Sequence, residues 1–253
     1  MSRPAPEQID FVGAGGAHLS GLLTVPDGSP SGSVLMAHCF TCSKDLHTLT
    51  RLARRLVDGG YAVFRFDFTG LGESDGDFAR TSVTVNVGDL ARAAVTLIER
   101  DHGPCVLFGH SLGGAAVLLS AARLKAVTRV IVLGAPSDTD HVRHLFVDQV
   151  DDLAADGSAH VSIGGRPFEI GAEFVRDLER HDVLEAARDL GRPLLVLVPG
   201  ADEVVPAMHG RAIYEAAQEP KEIVTIPGAD HLLTDRVLAD RAADAVIDFL
   251  DRT

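Results

Sequence analysis

One serine of this chain stands in a sequence context that suits a nucleophile. Ser111 is the third residue of GHSLGG at positions 109–114, between the apolar run 105–108 and the small-residue run 115–122. A strand, a tight turn with the pattern G-x-S-x-G and a helix together are typical of a nucleophile elbow, which holds its serine strained and exposed at a helix N-terminus. The pattern predicts that Ser111 attacks a substrate as the nucleophile of a serine hydrolase.

An acid and a base for this serine follow it in the chain. A serine hydroxyl becomes a good nucleophile when an imidazole removes its proton and a carboxylate orients that imidazole. With this kind of elbow the partners come in the order serine, acid, histidine. Asp202 follows the apolar run 194–198 and His231 follows the run 223–226. Because the carboxyl ends of parallel strands meet at one edge of a sheet, we expect both side chains near Ser111.

Three other carboxylates compete with Asp202 for the role of the acid. Glu203 is adjacent to Asp202 but points elsewhere along an extended backbone. Asp230 abuts the histidine, and neighbouring residues rarely orient each other's side chains productively. Asp138 follows the apolar run 129–133, from which an acid could also reach the histidine, so it stays an alternative.

The other histidines singled out by position are predicted to be structural. His141 and His144 are three residues apart, a spacing that can chelate a metal, but no third ligand is evident nearby. We therefore expect no metal site and a solvent-facing pair. His110 is expected to pack or to hydrogen-bond within the elbow, and His18 and His209 to lie at the surface.

The negative charge of a tetrahedral intermediate requires two backbone donors, which form an oxyanion hole. The N–H of Leu112, directly after Ser111, is the first candidate. The second is expected from the loop 38–45 that follows the predicted strand 34–37, and the N–H of Phe40 is its best candidate. The Phe40 ring would then add an apolar wall to the site.

The same loop contains Cys39 and Cys42, which form a Cys-x-x-Cys pattern. This pattern occurs in redox and metal sites, but the thioredoxin-like context is missing, so we expect two small residues of a tight loop with one or both buried. A redox or regulatory role stays an alternative, in which oxidation would disturb the Phe40 donor and lower activity. The third cysteine, Cys105, is predicted to lie in the core.

A second glycine-containing loop spans residues 65–74. Gly70 and Gly72 are two residues apart, but a third glycine and an immediately following helix are missing, so the loop is not a dinucleotide fingerprint. We predict a structural turn that braces the elbow, in which Asp67 and Ser74 hydrogen-bond the loop. The sequence indicates no cofactor.

Apolar runs alternate with amphipathic segments along most of the chain, which predicts an α/β fold with a mostly parallel sheet covered by helices on both faces. Residues 9–12 and 18–25 are predicted to form an antiparallel pair at the start. Helices are expected around 49–56, over 85–99, after the elbow and in the last section of the chain. Further strands are predicted at 34–37, 61–66, 105–108, 129–133, 194–198 and 223–226.

Residues 137–192 interrupt this alternation. They comprise a helix-like piece over 141–153, a predicted hairpin over 160–170 with Gly164 and Gly165 at its turn, and a helical stretch over 172–190. Because this insertion leaves the sheet at its ligand-binding edge, we predict a cap over the pocket, with decoration of the rim as the alternative. The domain organisation is therefore a hydrolase core of residues 1–136 and 193–253 with the cap insertion 137–192.

Composition narrows the class of partner. The 253 residues carry a formal net charge of −13, which argues against nucleic acids and anionic membranes as partners and favours a neutral or weakly charged small molecule. Neither a signal peptide nor an apolar run long enough to cross a membrane is evident. The odd count of 3 cysteines fits a reducing compartment, so we expect a cytoplasmic protein, without any indication of its oligomeric state.

Along essentially its whole length the chain resembles the α/β-hydrolase superfamily. The residues that carry the resemblance are the loop 37–45 (AHCFTCSKD), the pattern D-x-x-G-x-G-x-S at 67–74, the elbow, and ADHLL at 229–233. With GRPF at 165–168, these phrases look most similar to the subgroup whose hydrolase domain is often fused to an OsmC-type domain, here expected in free-standing form. The resemblance implies an esterase or related acyl hydrolase with Ser111, Asp202 and His231 as its triad.

The sequence thus predicts a serine hydrolase that cleaves small acyl or aryl esters through an acyl-enzyme on Ser111, with no cofactor and no metal. Thioester, lactone or amide hydrolysis and perhydrolysis use the same triad and stay open as alternatives. A non-catalytic ligand-binding module with this scaffold is a further alternative, which the complete set of triad residues and elbow glycines disfavours.

Overall fold

The structure, a computed structural model, describes residues 4–103, 105–147 and 157–252. Eight strands form one sheet in the order β1-β2-β4-β3-β5-β6-β9-β10, in which β1 and β2 are antiparallel to their neighbours and all other pairs are parallel. A separate antiparallel hairpin consists of β7 and β8. The strands are β1 Glu7–Val12, β2 His18–Thr24, β3 Gly32–Ala37, β4 Tyr61–Phe66, β5 Val106–His110, β6 Arg129–Leu133, β7 Ser158–Ile163, β8 Arg166–Gly171, β9 Leu194–Pro199 and β10 Lys221–Ile226.

Helices cover both faces of the sheet, as the alternating pattern predicts. Side chains of a strand alternate between the faces, so Leu35 packs on the side of helices Val83–Ile98 and Leu112–Ala121. Val34 and Met36 pack on the side of helices His47–Asp58 and Arg236–Arg252. The helices are α1 His47–Asp58, α2 Val83–Ile98, α3 Leu112–Ala121, α4 Ala172–Leu178, α5 Val183–Arg188, α6 Ala207–Ala216 and α7 Arg236–Arg252, with short 3-10 helices at Phe78–Arg80 and Thr139–Leu145. Within the described residues no helix is long and apolar enough to cross a membrane.

The parallel register aligns the strand ends that bear the site. Ala37 of β3 pairs with Gly109 of β5, His110 pairs with Leu133 of β6, and Leu133 pairs with Leu197 of β9. The loops after these strands therefore leave the sheet at a common edge. This alignment brings together residues that are far apart in the chain.

The insertion 137–192 contains the predicted hairpin, with β7 and β8 joined at Gly164 and Gly165. The helix expected over 141–153 is described only in its first part, as the 3-10 helix Thr139–Leu145; residues 148–156 lie outside the described residues. The helical stretch expected over 172–190 is two helices. It is interrupted because Asp182 accepts a hydrogen bond from the N–H of Glu185 and so begins α5 as its N-cap.

The insertion is attached to the core through a buried carboxylate of α4. Asp177 accepts hydrogen bonds from the N–H and the hydroxyl of Thr84, both at 2.8 Å, at the first turn of α2. The positive end of a helix dipole favours a carboxylate at this position. The contact fixes α4, and with it one end of the insertion, against the core.

Candidate active site

The backbone around Ser111 has the strand–turn–helix geometry expected from GHSLGG. Ser111 lies between β5 and α3 with φ 55° and ψ −127°, a left-handed conformation that a non-glycine residue rarely adopts. A Cβ on Gly113 would lie 2.3 Å from the carbonyl oxygen of His38, so glycine is required for this close approach. Ser111 is only 5% exposed, so the expectation of an exposed serine is wrong: the elbow lies below the surface.

Asp202 and His231 form the acid–base contact expected from their positions after β9 and β10. Oδ2 of Asp202 lies 2.7 Å from Nδ1 of His231, and its Oδ1 accepts hydrogen bonds from the N–H groups of Val204 and Val205 at 2.9 and 2.8 Å. The Asp202 side chain is fully buried. A carboxylate held in this way orients the imidazole with its proton on Nδ1, which leaves Nε2 as the basic nitrogen.

The Asp202–His231 pair lies beside the elbow. The amide of Ser111 donates to the carbonyl of Leu133 at 2.9 Å, and the next residue, Gly134, lies against the pair: a Cβ there would be 3.2 Å from Oδ2 of Asp202 and 3.5 Å from Nδ1 of His231. The hydrogen bonds of the described residues do not include one between the Ser111 hydroxyl and His231. The structure thus joins Asp202 to His231 and brings Ser111 to the same edge of the sheet.

The alternative acids have other partners. Asp138 is 55% exposed on its side chain and lies 3.9 Å from Nδ1 of His209. Asp230 accepts from the N–H of Thr234 at 2.9 Å. Glu203 is exposed. Among these four carboxylates, Asp202 is the one that hydrogen-bonds His231.

His110 contributes more to this site than sequence reasoning found. Its Nε2 lies 2.8 Å from the carbonyl oxygen of His231, and the two imidazole rings are 4.9 Å apart between centroids. Because a carbonyl only accepts, His110 Nε2 is protonated and donates to it. The bond extends beyond the elbow, to which it was expected to be confined, and it fixes the backbone of the proposed base. In the sequence, the available signal for this role was that His110 directly precedes Ser111.

Burial determines the protonation of His110. Desolvation, followed by the charge of the nearby His231 imidazole, lowers the pKa of His110 to about 3. Among the described residues its Nδ1 is buried without a hydrogen-bond partner, as an unprotonated nitrogen. His110 is therefore neutral at neutral pH.

The neutral state of His110 makes stability depend on pH. An unfolded chain takes up this proton near pH 6.5, whereas the folded protein does so near pH 3, so the contribution is complete above pH 6.5 and is lost as the pH falls toward 3. We expect His110 alone to cost about 2 kcal/mol of unfolding free energy between pH 7 and pH 5. Urea unfolding at the two pH values measures this loss.

The His110→Gln variant, which keeps a donor for the His231 carbonyl, tests the origin of this pH dependence. It should lose about 2 kcal/mol less than the wild type over the same interval. His18→Gln, which removes an exposed imidazole, is the matched control for the loss of a histidine. An equal loss in His110→Gln and wild type would contradict the assignment.

The loop with the predicted donor Phe40 contains a disulfide. Cys39 and Cys42 are bonded to each other, with their Cα atoms 5.3 Å apart, and the N–H of Cys42 donates to the carbonyl of Cys39 at 3.1 Å. The tight loop and the burial of Cys39 are as expected, but the bond between the two cysteines was not expected; a turn of this length brings both sulfurs together. The bond also weakens the argument from cysteine usage for a reducing compartment. Cys105 is free but half-buried rather than in the core.

A buried ion pair supports this loop from the side of β4. Asp67 is fully buried; it accepts from the backbone N–H of Lys44 at 2.6 Å and from its Nζ at 2.8 Å, and from the N–H of Glu73 at 2.9 Å. The hydroxyl of Ser74 donates to the Asp67 carbonyl at 2.6 Å. A Cβ on Gly72 would lie 2.2 Å from this carboxylate, which explains the glycine. Asp67 and Ser74 hydrogen-bond within their loop as predicted, but Asp67 braces the loop with Phe40 rather than the elbow.

The histidine pair of the insertion is part of a three-ring contact. The ring of His141 lies 4.5 Å from that of His144 and 4.1 Å from that of His209, between centroids. His209 is 13% exposed on its side chain and its Nδ1 lies 2.9 Å from the Ser137 hydroxyl, so the prediction of a surface residue was wrong. His141 is half-buried and its Nε2 donates to the carbonyl of Val204 in the Asp202 loop at 2.8 Å, so it is not solvent-facing as expected. Across the described residues no group of side chains suits a metal ion.

A serine at this kind of turn, at the carboxyl edge of a mostly parallel sheet, is the architecture of the α/β hydrolases. A family model described as serine aminopeptidase, S33 (Hydrolase_4) matches residues 28–161, more than half of the chain. The chain belongs to this family of α/β hydrolases. The expected fold and superfamily are therefore confirmed.

Esterases and a lipase are among the proteins similar to this chain. The esterase domain of a Rhodothermus marinus protein is 38% identical, with a TM-score of 0.81 and 98% of each chain covered. Est1E from Butyrivibrio proteoclasticus, solved with ferulic acid bound, has a TM-score of 0.83 at 21% identity, over 96% of this chain and 98% of its own. The monoacylglycerol lipase of Mycolicibacterium smegmatis is 24% identical over 87% of this chain and 88% of its own length. The resemblance to the OsmC-linked subgroup stays a prediction.

Proposed function

We propose that this protein is a serine hydrolase that cleaves small acyl or aryl carboxylic esters through a covalent acyl-enzyme on Ser111. The observation that carries the proposal is the 2.7 Å contact between the buried Asp202 carboxylate and His231, beside an elbow that holds Ser111 in a left-handed conformation. The 38% identity to an esterase domain supports ester hydrolysis over the peptide hydrolysis that the family description names.

In the proposed reaction Ser111 Oγ attacks the ester carbonyl carbon while its proton passes to Nε2 of His231. Asp202 holds the imidazole by Nδ1 and stabilises the imidazolium that forms. The tetrahedral intermediate collapses when His231 returns the proton to the leaving alcohol, which departs and leaves an acyl-serine. Water then attacks the acyl group with His231 as the base, and the acid is released. The contact between hydroxyl and imidazole that this step needs commonly tightens when substrate binds.

The developing oxyanion is assigned to two backbone donors, the N–H groups of Leu112 and Phe40. Leu112 is the first residue of α3, so its N–H has no partner within the helix, and the positive end of the helix dipole favours negative charge there. Phe40 lies in the loop after β3, whose end pairs with Gly109 of the elbow strand. Two donors at fixed positions stabilise charge that appears only in the transition state.

The proposed substrate class follows from aromatic rings around the Phe40 donor. Phe174 and Phe146 of the insertion lie 5.2 and 6.3 Å from the Phe40 ring between centroids, and Phe78 lies 5.6 Å from it. These largely buried rings make the surroundings of Phe40 apolar, which favours apolar acyl or aryl groups near the proposed donor. The same rings also support the proposal that the insertion 137–192 acts as a cap, with a neutral small-molecule ester as the partner.

A fluorophosphonate probe tests the proposed function directly, because it reacts with an activated serine and mimics the acylation step. We expect stoichiometric labelling of the wild-type protein, with the added mass on the peptide that contains Ser111. A panel of 4-nitrophenyl esters and matched thioesters of increasing chain length should then show turnover of short-chain or aryl esters. Absence of labelling would overturn the proposal in favour of a ligand-binding module, and thioester turnover without ester turnover would redirect it to thioester hydrolysis.

A further inference from the structure

The insertion makes a direct polar contact with the loop that contains Phe40. Arg166 is the first residue of β8, directly after the hairpin turn, and its guanidinium donates a hydrogen bond to the backbone carbonyl of Thr41. The same guanidinium lies over the ring of Phe168, 5.3 Å from its centroid. We propose that Arg166 is a positioning residue that holds the Phe40 N–H in place for the oxyanion, an inference that rests on the proposed function.

Hydrogen bonds within the loop already fix the peptide that carries the Phe40 N–H. The Phe40 N–H belongs to the same peptide group as the Cys39 carbonyl, so the direction of that carbonyl sets the direction of the N–H. The Cys39 carbonyl accepts from the Cys42 N–H at 3.1 Å and lies 2.8 Å from Nδ1 of His38. His38 Nε2 accepts from the Phe68 N–H at 3.2 Å, so the ring proton is on Nδ1 and is donated to Cys39.

The position of the whole turn relative to the insertion depends on Arg166. Thr41 follows Phe40 and has φ 60°, a left-handed conformation that is unfavourable for a β-branched residue and persists only where its surroundings impose it. The carbonyl of Thr41 accepts a hydrogen bond from the side chain of Arg166. The Cys42 N–H and the Cys39–Cys42 disulfide hold the inner geometry of this turn, so loss of the Arg166 donor lets the turn shift as a unit and moves Phe40 relative to the elbow.

The side chain at 166 suits this role better than another cation would. A guanidinium can donate to a carbonyl along its edge while its face stacks on an aromatic ring, whereas a lysine ammonium cannot do both. The hairpin is itself held close to the core, since a Cβ on Gly171 at the end of β8 would lie 2.1 Å from the carbonyl oxygen of Ala79. Arg166 therefore transmits the position of the insertion to the oxyanion loop.

The test compares Arg166→Met, which keeps apolar length over Phe168 but has no donor, with Arg166→Lys, which keeps one donor. The matched control is Arg176→Met, because the exposed Arg176 of the same insertion pairs with Glu173. Rates on a short-chain 4-nitrophenyl ester are expressed per site titrated with fluorophosphonate, so that unfolded protein is not counted. The affinity for a trifluoromethyl ketone, which forms a tetrahedral oxyanion on a serine, is measured in parallel.

We expect Arg166→Met to lower kcat about 10- to 100-fold with KM within about threefold, since loss of one complete oxyanion donor typically costs 10²- to 10³-fold. The affinity for the ketone should fall by the same factor as kcat. Arg166→Lys should recover part of both, and Arg176→Met should match the wild type. A change in KM alone, or an unchanged kcat per titrated site with unchanged ketone affinity, overturns the inference. Failure of the wild type itself to react with fluorophosphonate would instead refute the proposed function.

Discussion

The Ser111→Ala variant should lose ester hydrolysis almost completely, with kcat about 10⁶-fold below the wild type. The change removes the atom that forms the acyl-enzyme, so that only the slow attack of water in the oxyanion site is left. The backbone should be retained, because the turn at Ser111 is fixed by main-chain contacts, such as its N–H donating to Leu133, and by close packing at Gly109 and Gly113. Initial rates on 4-nitrophenyl acetate, with a thermal unfolding curve for each variant, measure both effects.

Ser120→Ala is the matched control for this substitution. Ser120 lies in α3, is as buried as Ser111, and donates its hydroxyl to the Ala116 carbonyl within the helix. Its loss should leave kcat unchanged and produce at most a small change in melting temperature. If Ser111→Ala retained turnover while folded, the nucleophile would have to be assigned elsewhere; if both variants lost activity equally, a structural effect on α3 would explain the result.

Strand ends made the contact between the proposed acid and the proposed base predictable from sequence. Strands Tyr61–Phe66 and Arg129–Leu133 have the predicted bounds, because a mostly apolar run bounded by polar or turn residues fits one placement best. Once β9 and β10 are placed, the residues after them must reach the edge where Ser111 lies. Asp202 and His231 were found by this topological argument, without knowledge of their contact.

Contacts between distant segments were not predictable in the same way. Arg166 hydrogen-bonds Thr41, which is 125 residues away in the chain. His209 contacts Ser137, the first residue of the insertion. Local propensity and periodicity do not encode how an insertion packs on the core. The short 3-10 and helical pieces of 137–192 follow that packing, so this section was also where predicted helices differed most from the structure.

The Cys39–Cys42 bond was missed although its residues are close in the chain, because its formation depends on the geometry of one turn.

The Asp202→Asn variant should lower kcat about 10⁴-fold while the protein keeps its fold. Asparagine has nearly the same shape, and its side-chain oxygen can still accept from the N–H groups of Val204 and Val205. Its amide nitrogen, however, donates where the carboxylate accepted. It therefore favours the His231 tautomer with the proton on Nε2, which cannot take the proton of Ser111, and it removes the negative charge that stabilises the imidazolium. Steady-state kinetics and the rate of fluorophosphonate labelling should decline together.

Asp138→Asn is the control that separates the two candidate acids. Asp138 lies 3.9 Å from His209 and is more than half exposed, so its replacement should change kcat less than about twofold. A large loss in Asp138→Asn with near-normal Asp202→Asn would transfer the acid role to the end of β6 and would require His231 to turn away from its present partner. The opposite result fixes the order serine, acid, histidine at positions 111, 202 and 231, since only a buried carboxylate in direct contact with the imidazole can select its tautomer.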